Sequence, residues 1–96
     1  MYKNETFRTA YHKLRPLNEG KILAFIVGEF VNFVLSDAHE VGSLLGEPIT
    51  KPNGYDIVAV HERRLQEVVE RLTLRGKDVV VFEKVVSRGR STFRRV

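Results

Sequence analysis

Hydrophobic positions along the chain change period in a way that marks its elements. Two apolar runs, from Ile22 to Val27 and from Phe30 to Leu35, flank the pair Gly28-Glu29. A glycine at the first central position is what a two-residue type II′ hairpin turn requires. That turn sets Val27 opposite Phe30, Ile26 opposite Val31, Phe25 opposite Asn32 and Ala24 opposite Phe33. Strand side chains alternate between faces, so Ile22, Ala24, Ile26, Val31, Phe33 and Leu35 share one wholly apolar side, the natural core face. The other side carries Leu23, Phe25, Val27, Phe30, Asn32 and Val34, and places an amide and a phenylalanine close to the turn.

Elsewhere the period is helical. Phe7, Ala10, Tyr11 and Leu14 predict an amphipathic helix over 5–15, capped by Asn4 and stopped by Pro16. Ser36 or Asp37 is placed to cap a second helix, with Asp37 and Glu40 in capping-box spacing and Gly46 at its end. Its apolar positions are Ala38, Val41, Leu44 and Leu45. A third helix runs from about His61 to Arg75 with Leu65, Val68, Val69 and Leu72 as its buried stripe, ended by Gly76. The proline-rich stretch 47–54 holds at most a short edge strand, and Tyr55 to Val60 reads as a strand. Val79 to Phe82 is unbroken β-branched and aromatic sequence, as expected of a central strand covered on both faces. After a turn at 87–90, Ser91 to Val96 returns as a basic edge strand. The expected fold is α/β of the α+β type, one domain over 1–96 with a mixed sheet of about five to six strands and three helices.

Composition narrows the class. Hydrophobic residues at 43% and charged ones at 29% describe an ordinary soluble globular domain. No apolar run reaches membrane-span length and the N-terminal residues lack a signal-peptide core, so no membrane partner is expected. Without cysteine, disulfides and thiol chemistry are excluded and a cytoplasmic location is the default. The net charge of +4 is unevenly distributed. Residues 22–47 contain four acids and no Lys or Arg, whereas 84–96 contain Lys84, Arg88, Arg90, Arg94 and Arg95 and no acid. A basic terminal stripe of this kind suits a polyanion such as nucleic acid, and equally suits a solvated edge strand charged against sheet-to-sheet association.

These blocks resemble the first, mismatch-recognition domain of the DNA mismatch-repair protein MutS along nearly the whole length. The family shows an apolar strand like Ile22 to Val27 and a Gly-acid-Phe-x-Glu hairpin like Gly28-Glu29-Phe30-Val31-Asn32. Its Asp-Ala helix start and Leu-Leu helix end match Asp37-Ala38 and Leu44-Leu45. Thr50-Lys51 falls on a Leu-Thr-Lys/Arg segment, and Arg71 to Lys84 is similar to Leu-Val-x-x-Gly-x-x-Val-Ala-x-x-Glu-Gln. In the family the phenylalanine of Phe-x-Glu wedges into the minor groove at a mispaired base and the glutamate hydrogen-bonds that base. The resemblance implies those roles for Phe30 and Asn32, with an amide standing where the family has a carboxylate. Ala59-Val60-His61-Glu62-Arg63 also departs from the family's Gly-Val-Pro-x-His. No Walker A sequence, clamp or lever is present, so this stretch does not itself hydrolyse ATP.

The expected partner is therefore duplex DNA, mismatched or non-specific, with Phe30 and Asn32 toward the minor groove. Lys84, Arg88, Arg90, Arg94 and Arg95 would lie on the phosphates, positioning without reading sequence. The rival expectation is a protein-interaction or self-association module, docking through the acidic segment and an exposed apolar face around Phe25, Val27 and Phe30. His12, His39 and His61 lie on different elements without ligand spacing, so no metal is expected. No nucleophile–base arrangement or glycine-rich phosphate loop suggests an enzyme, a cofactor or a small-molecule substrate. Asp37 and Glu40 read as helix-start residues rather than a catalytic pair.

Overall fold

The computed structural model describes residues 6–96. The first helix, α1 (Phe7–Leu14), is capped by the Thr6 hydroxyl, which accepts the Thr9 N–H at 3.1 Å, while Thr9 Oγ1 accepts the Thr6 N–H in return. Asn4, the cap expected from sequence, lies outside the described residues. Pro16 does not end the helical path abruptly. Its fixed φ is compatible with a first helical turn, and the chain continues as a 3-10 turn over Arg15–Asn18.

The hairpin follows as β1 (Lys21–Val27) and β2 (Phe30–Val34), with Phe25 opposite Asn32, Ile26 opposite Val31 and Val27 opposite Phe30. Gly28 has φ +59°, and Glu29 is not among the positive-φ residues, as a type II′ turn demands. β2 then runs without a loop into α2 (Leu35–Leu45). Helix α2 closes on Gly46 at φ +70°. Next come β3 (Ile57–His61), a 3-10 turn over Glu62–Arg64 and α3 (Leu65–Leu74). The chain finishes with β4 (Asp78–Ser87) and β5 (Arg90–Arg95). The five strands are ordered β3-β2-β1-β4-β5. Among the described residues only the β1–β4 pair is parallel; the other three pairs are antiparallel. The stretch 47–54 contributes a single bridge from Thr50 to Ile57.

Both faces of the sheet are covered. On one, Ile22, Ala24, Val31, Phe33, Val58 and Val60 pack against Ala38, Val41, Leu45, Val68 and Leu72 of α2 and α3. On the other, Leu23, Phe25, Val34, Ile57, Val80, Phe82 and Phe93 meet Ala10 and Tyr11 of α1. Leu35, expected on the first face, packs with the second cluster. It adopts φ +57°, which swings the chain out of strand geometry, and its N–H donates to the Asp56 carbonyl at 2.8 Å. A left-handed leucine costs roughly 1–2 kcal/mol, offset by the burial of the helix it starts.

Neither Ser36 nor Asp37 caps α2; the N-cap is Val34, with no side-chain bond. Asp37 turns inward instead. Its carboxylate accepts the Leu23 N–H at 2.9 Å and two contacts from the Arg15 guanidinium at 3.0 and 3.2 Å. His61, about where the third helix was expected to begin, both ends β3 and caps the 3-10 turn that leads into α3.

Candidate nucleic-acid interface

Of the six phenylalanines, Phe30 alone is exposed, at 50% of its surface. The other five sit in or against the aromatic and aliphatic clusters of the core. Its position follows from the turn: Phe30 is the first residue of β2, beside Gly28-Glu29. The ring is not loose. It meets the His61 ring edge-on, 5.8 Å between centroids at 71°, because Phe30 and His61 are register partners across β2 and β3. The following residue fastens the two strands again, Glu62 N–H donating to the Glu29 carbonyl at 2.8 Å.

Asn32 lies two residues along on the same side of the sheet, at 8% exposure. Its amide nitrogen donates to the Phe25 carbonyl at 3.2 Å and to the Phe30 carbonyl at 3.4 Å. Asn32 thus braces the backbone that carries Phe30. The sequence pattern shows an amide on an apolar side but not that its hydrogens turn back onto the main chain.

The expected cations do not form one patch. Lys84 pairs with Phe93, and Arg95 with Phe82, so both project from the α1 side, the face that carries Phe30. The pairing of Ile26 with Glu83 puts Lys84 level with Val27, at Phe30's end of the sheet. An open depression of about 270 Å³ lined by Phe7, Val27, Tyr55, Lys84 and Phe93 adjoins it. Arg95 stands further back along the edge strand. Arg94 points to the opposite face, where its guanidinium meets Glu83 at 3.3 Å, and strand alternation puts Arg90 on that face too. Arg88 occupies the β4–β5 turn at φ +50°, followed by Gly89 at +74°. Sequence reasoning missed His61, which the end of β3 brings beside Phe30; the pairing of β3 with β2 is a long-range contact that no local spacing encodes.

Of the apolar face pictured for a protein partner, Val27 is half-buried and Phe30 exposed, but Phe25 is not available. Phe25 is fully buried, stacked 5.7 Å from Phe82 and edge-on to Phe93 at 5.0 Å, because α1 covers that face. The acidic segment is largely neutralised: Asp37 pairs with Arg15, Glu40 with Lys77 and Glu47 with Arg64. Glu29 remains as an exposed acid beside Phe30. Among the described residues, no group of three or more His, Cys, Asp and Glu side chains is placed to hold a metal ion. No helix among them is long and apolar enough to cross a membrane.

A mixed five-stranded sheet covered by helices on both faces, with one aromatic ring held out on a tight hairpin, defines a small α/β domain. Residues 5–96 match the model of MutS domain I, and the chain belongs to that family. It is 35% identical over 75 residues to the DNA mismatch repair protein MutS of Treponema pallidum subsp. pallidum and, equally, to that of Treponema pallidum strain Nichols. The matched stretch covers 78% of this chain and 8% of each of those proteins.

Proposed function

We propose that this chain is a non-enzymatic DNA-binding module that recognises disturbed base pairing in duplex DNA, with Phe30 as the group entering the minor groove. The observation that carries this reading is Phe30 itself: a half-exposed ring on a stiff hairpin, in a molecule that buries or partly buries its other phenylalanines. Inserting an apolar side chain at a base step partly unstacks it and kinks the duplex. That cost is smallest where pairing is already defective, so a wedge favours mispaired sites without reading their sequence. The mismatch-repair function named for the treponemal relatives accords with this. Asn32 holds the wedge from beneath and presents at most its carbonyl oxygen to the groove. Lys84, Arg88 and Arg95 on or near Phe30's face meet phosphates, and Arg90 and Arg94 flank the edge.

Fluorescence anisotropy on matched and mismatched duplexes, across a salt series, tests the reading. Wild type binds the mismatched duplex more tightly, and Phe30→Ala weakens that binding at least about fivefold, the low end of what one base–aromatic contact contributes. Equal binding by wild type and Phe30→Ala, or no binding by either at low salt, refutes it.

A further inference from the structure

The polar group beside the wedge is not the one that follows it in sequence. Any minor groove offers hydrogen-bond acceptors at purine N3 and pyrimidine O2, with the guanine amino group as its one donor. A side chain that reads a purine N3 or pyrimidine O2 there must therefore donate. Asn32 is poorly suited: it is 8% exposed and its amide nitrogen already donates to the Phe25 and Phe30 carbonyls. Across the strand pair stands His61, half-buried on the same face with its ring against Phe30. Its Nδ1 accepts the Arg63 backbone N–H at 3.1 Å. In a neutral imidazole with Nδ1 accepting, the proton resides on Nε2. The turn that follows β3 therefore fixes the tautomer, and the hydrogen bond from Glu62 to Glu29 fixes the strand end on which the ring is mounted.

We infer that His61 Nε2–H is the donor that contacts the acceptor edge of a base at the site Phe30 opens, making Phe30 and His61 the recognition pair. This rests on the reading of Phe30 as a minor-groove wedge. Wedge and donor come from neighbouring strands of one rigid ladder, so a base unstacked by the ring lies beside the imidazole.

The experiment compares two duplexes that differ by one atom at a mispaired adenine: ordinary adenine, and 3-deazaadenine, which has C–H in place of the N3 acceptor. Wild type prefers the adenine duplex about two- to tenfold, the range of one net hydrogen bond. His61→Leu binds both equally, and His61→Asn, which keeps an acceptor for the Arg63 N–H and a donor of its own, restores part of the preference. Wild type alone gives a second readout: the imidazole ¹⁵N shifts of His61 move on adding the adenine duplex and not the deaza duplex. Equal wild-type binding to both duplexes, or a preference surviving in His61→Leu, overturns the role of His61. If Phe30→Ala still weakens binding in that case, the wedge stands and only the donor is misassigned; if it does not, the wedge reading falls as well.

Discussion

The Asp37 carboxylate of α2 accepts the backbone N–H of Leu23 in β1 at 2.9 Å. This side chain supplies what the β1–β2 ladder no longer does, since the paired register of those strands begins at Phe25 and Asn32 and β2 turns into helix beyond Val34. Replacing Asp37 by Ala leaves a buried donor without an acceptor and the Arg15 guanidinium with the Asn18 carbonyl but no carboxylate. The expected loss is about 1–3 kcal/mol, read as a lower urea midpoint at unchanged slope.

The same carboxylate sets a pH dependence. Burial pushes the Asp37 pKa above its ordinary value of 3.8 and Glu40 adds to the rise, against the Leu23 N–H, Arg15 and the Tyr11 hydroxyl. The native state then binds this proton more tightly than the unfolded chain. The stabilisation from it is fully present below 3.8 and is lost as pH rises through the folded pKa. Asp37→Asn should therefore show a flatter stability profile than wild type from about pH 4 upward, measured by thermal melts at matched ionic strength.

Glu47 behaves with the opposite sign. The Arg64 guanidinium, bonded to it at 2.8 and 3.1 Å, holds its carboxyl below the ordinary 4.5 despite partial burial. Its contribution is present above 4.5 and lost as pH falls through the folded pKa. Glu47→Gln should lose less stability than wild type on acidification below about pH 4.5, the same melts being the check.

Gly28 takes φ +59° in open surroundings, so a methyl group there meets no neighbour and only backbone strain. Gly28→Ala is expected to cost roughly 1–2 kcal/mol in a denaturant titration. Because the turn mounts Phe30, that variant should also bind mismatched DNA more weakly than its lost stability explains.

The basic residues should separate by face. Removing one phosphate contact lowers the slope of log K against log salt by about 0.9 for duplex DNA. Lys84→Ala, on Phe30's face and at its end of the sheet, should show that change. Arg94→Ala, on the opposite face and paired with Glu83, should leave the slope unchanged. Anisotropy titrations over a range of salt concentrations decide it.

Local pattern carried most of the fold. Gly28-Glu29 between two apolar runs set the hairpin register from Phe25 and Asn32 to Val27 and Phe30, and Gly46 and Gly76 marked helix ends. What pattern could not carry was competition between local and distant partners. Asp37 sits in capping-box spacing, but the Leu23 N–H and the Arg15 guanidinium, brought close by the tertiary fold, take its carboxylate instead. His61 sits at a helix entry by spacing and does cap it, but its pairing with Phe30 of β2 comes only from the tertiary fold. Phe25 and Phe30 belong to one side of the hairpin, but Phe7, Phe82 and Phe93 bury the first while the second stays half-exposed. The place of Phe30 beside the turn was legible in the sequence; the contact of His61 with its ring needed the topology.

The parallel pairing of β1 with β4 also has a bearing on how this domain comes into being. Lys21 aligns with Asp78, more than half the chain later. A large loop must close before that central ladder forms, which slows folding relative to a helical bundle of similar size. During synthesis, the hairpin that holds Phe30 is made early but waits, its inner strand unpaired on one side, until β4 has left the ribosome. A nascent chain stalled before residue 78 would thus expose a sticky sheet edge, and holding chaperones should bind it there.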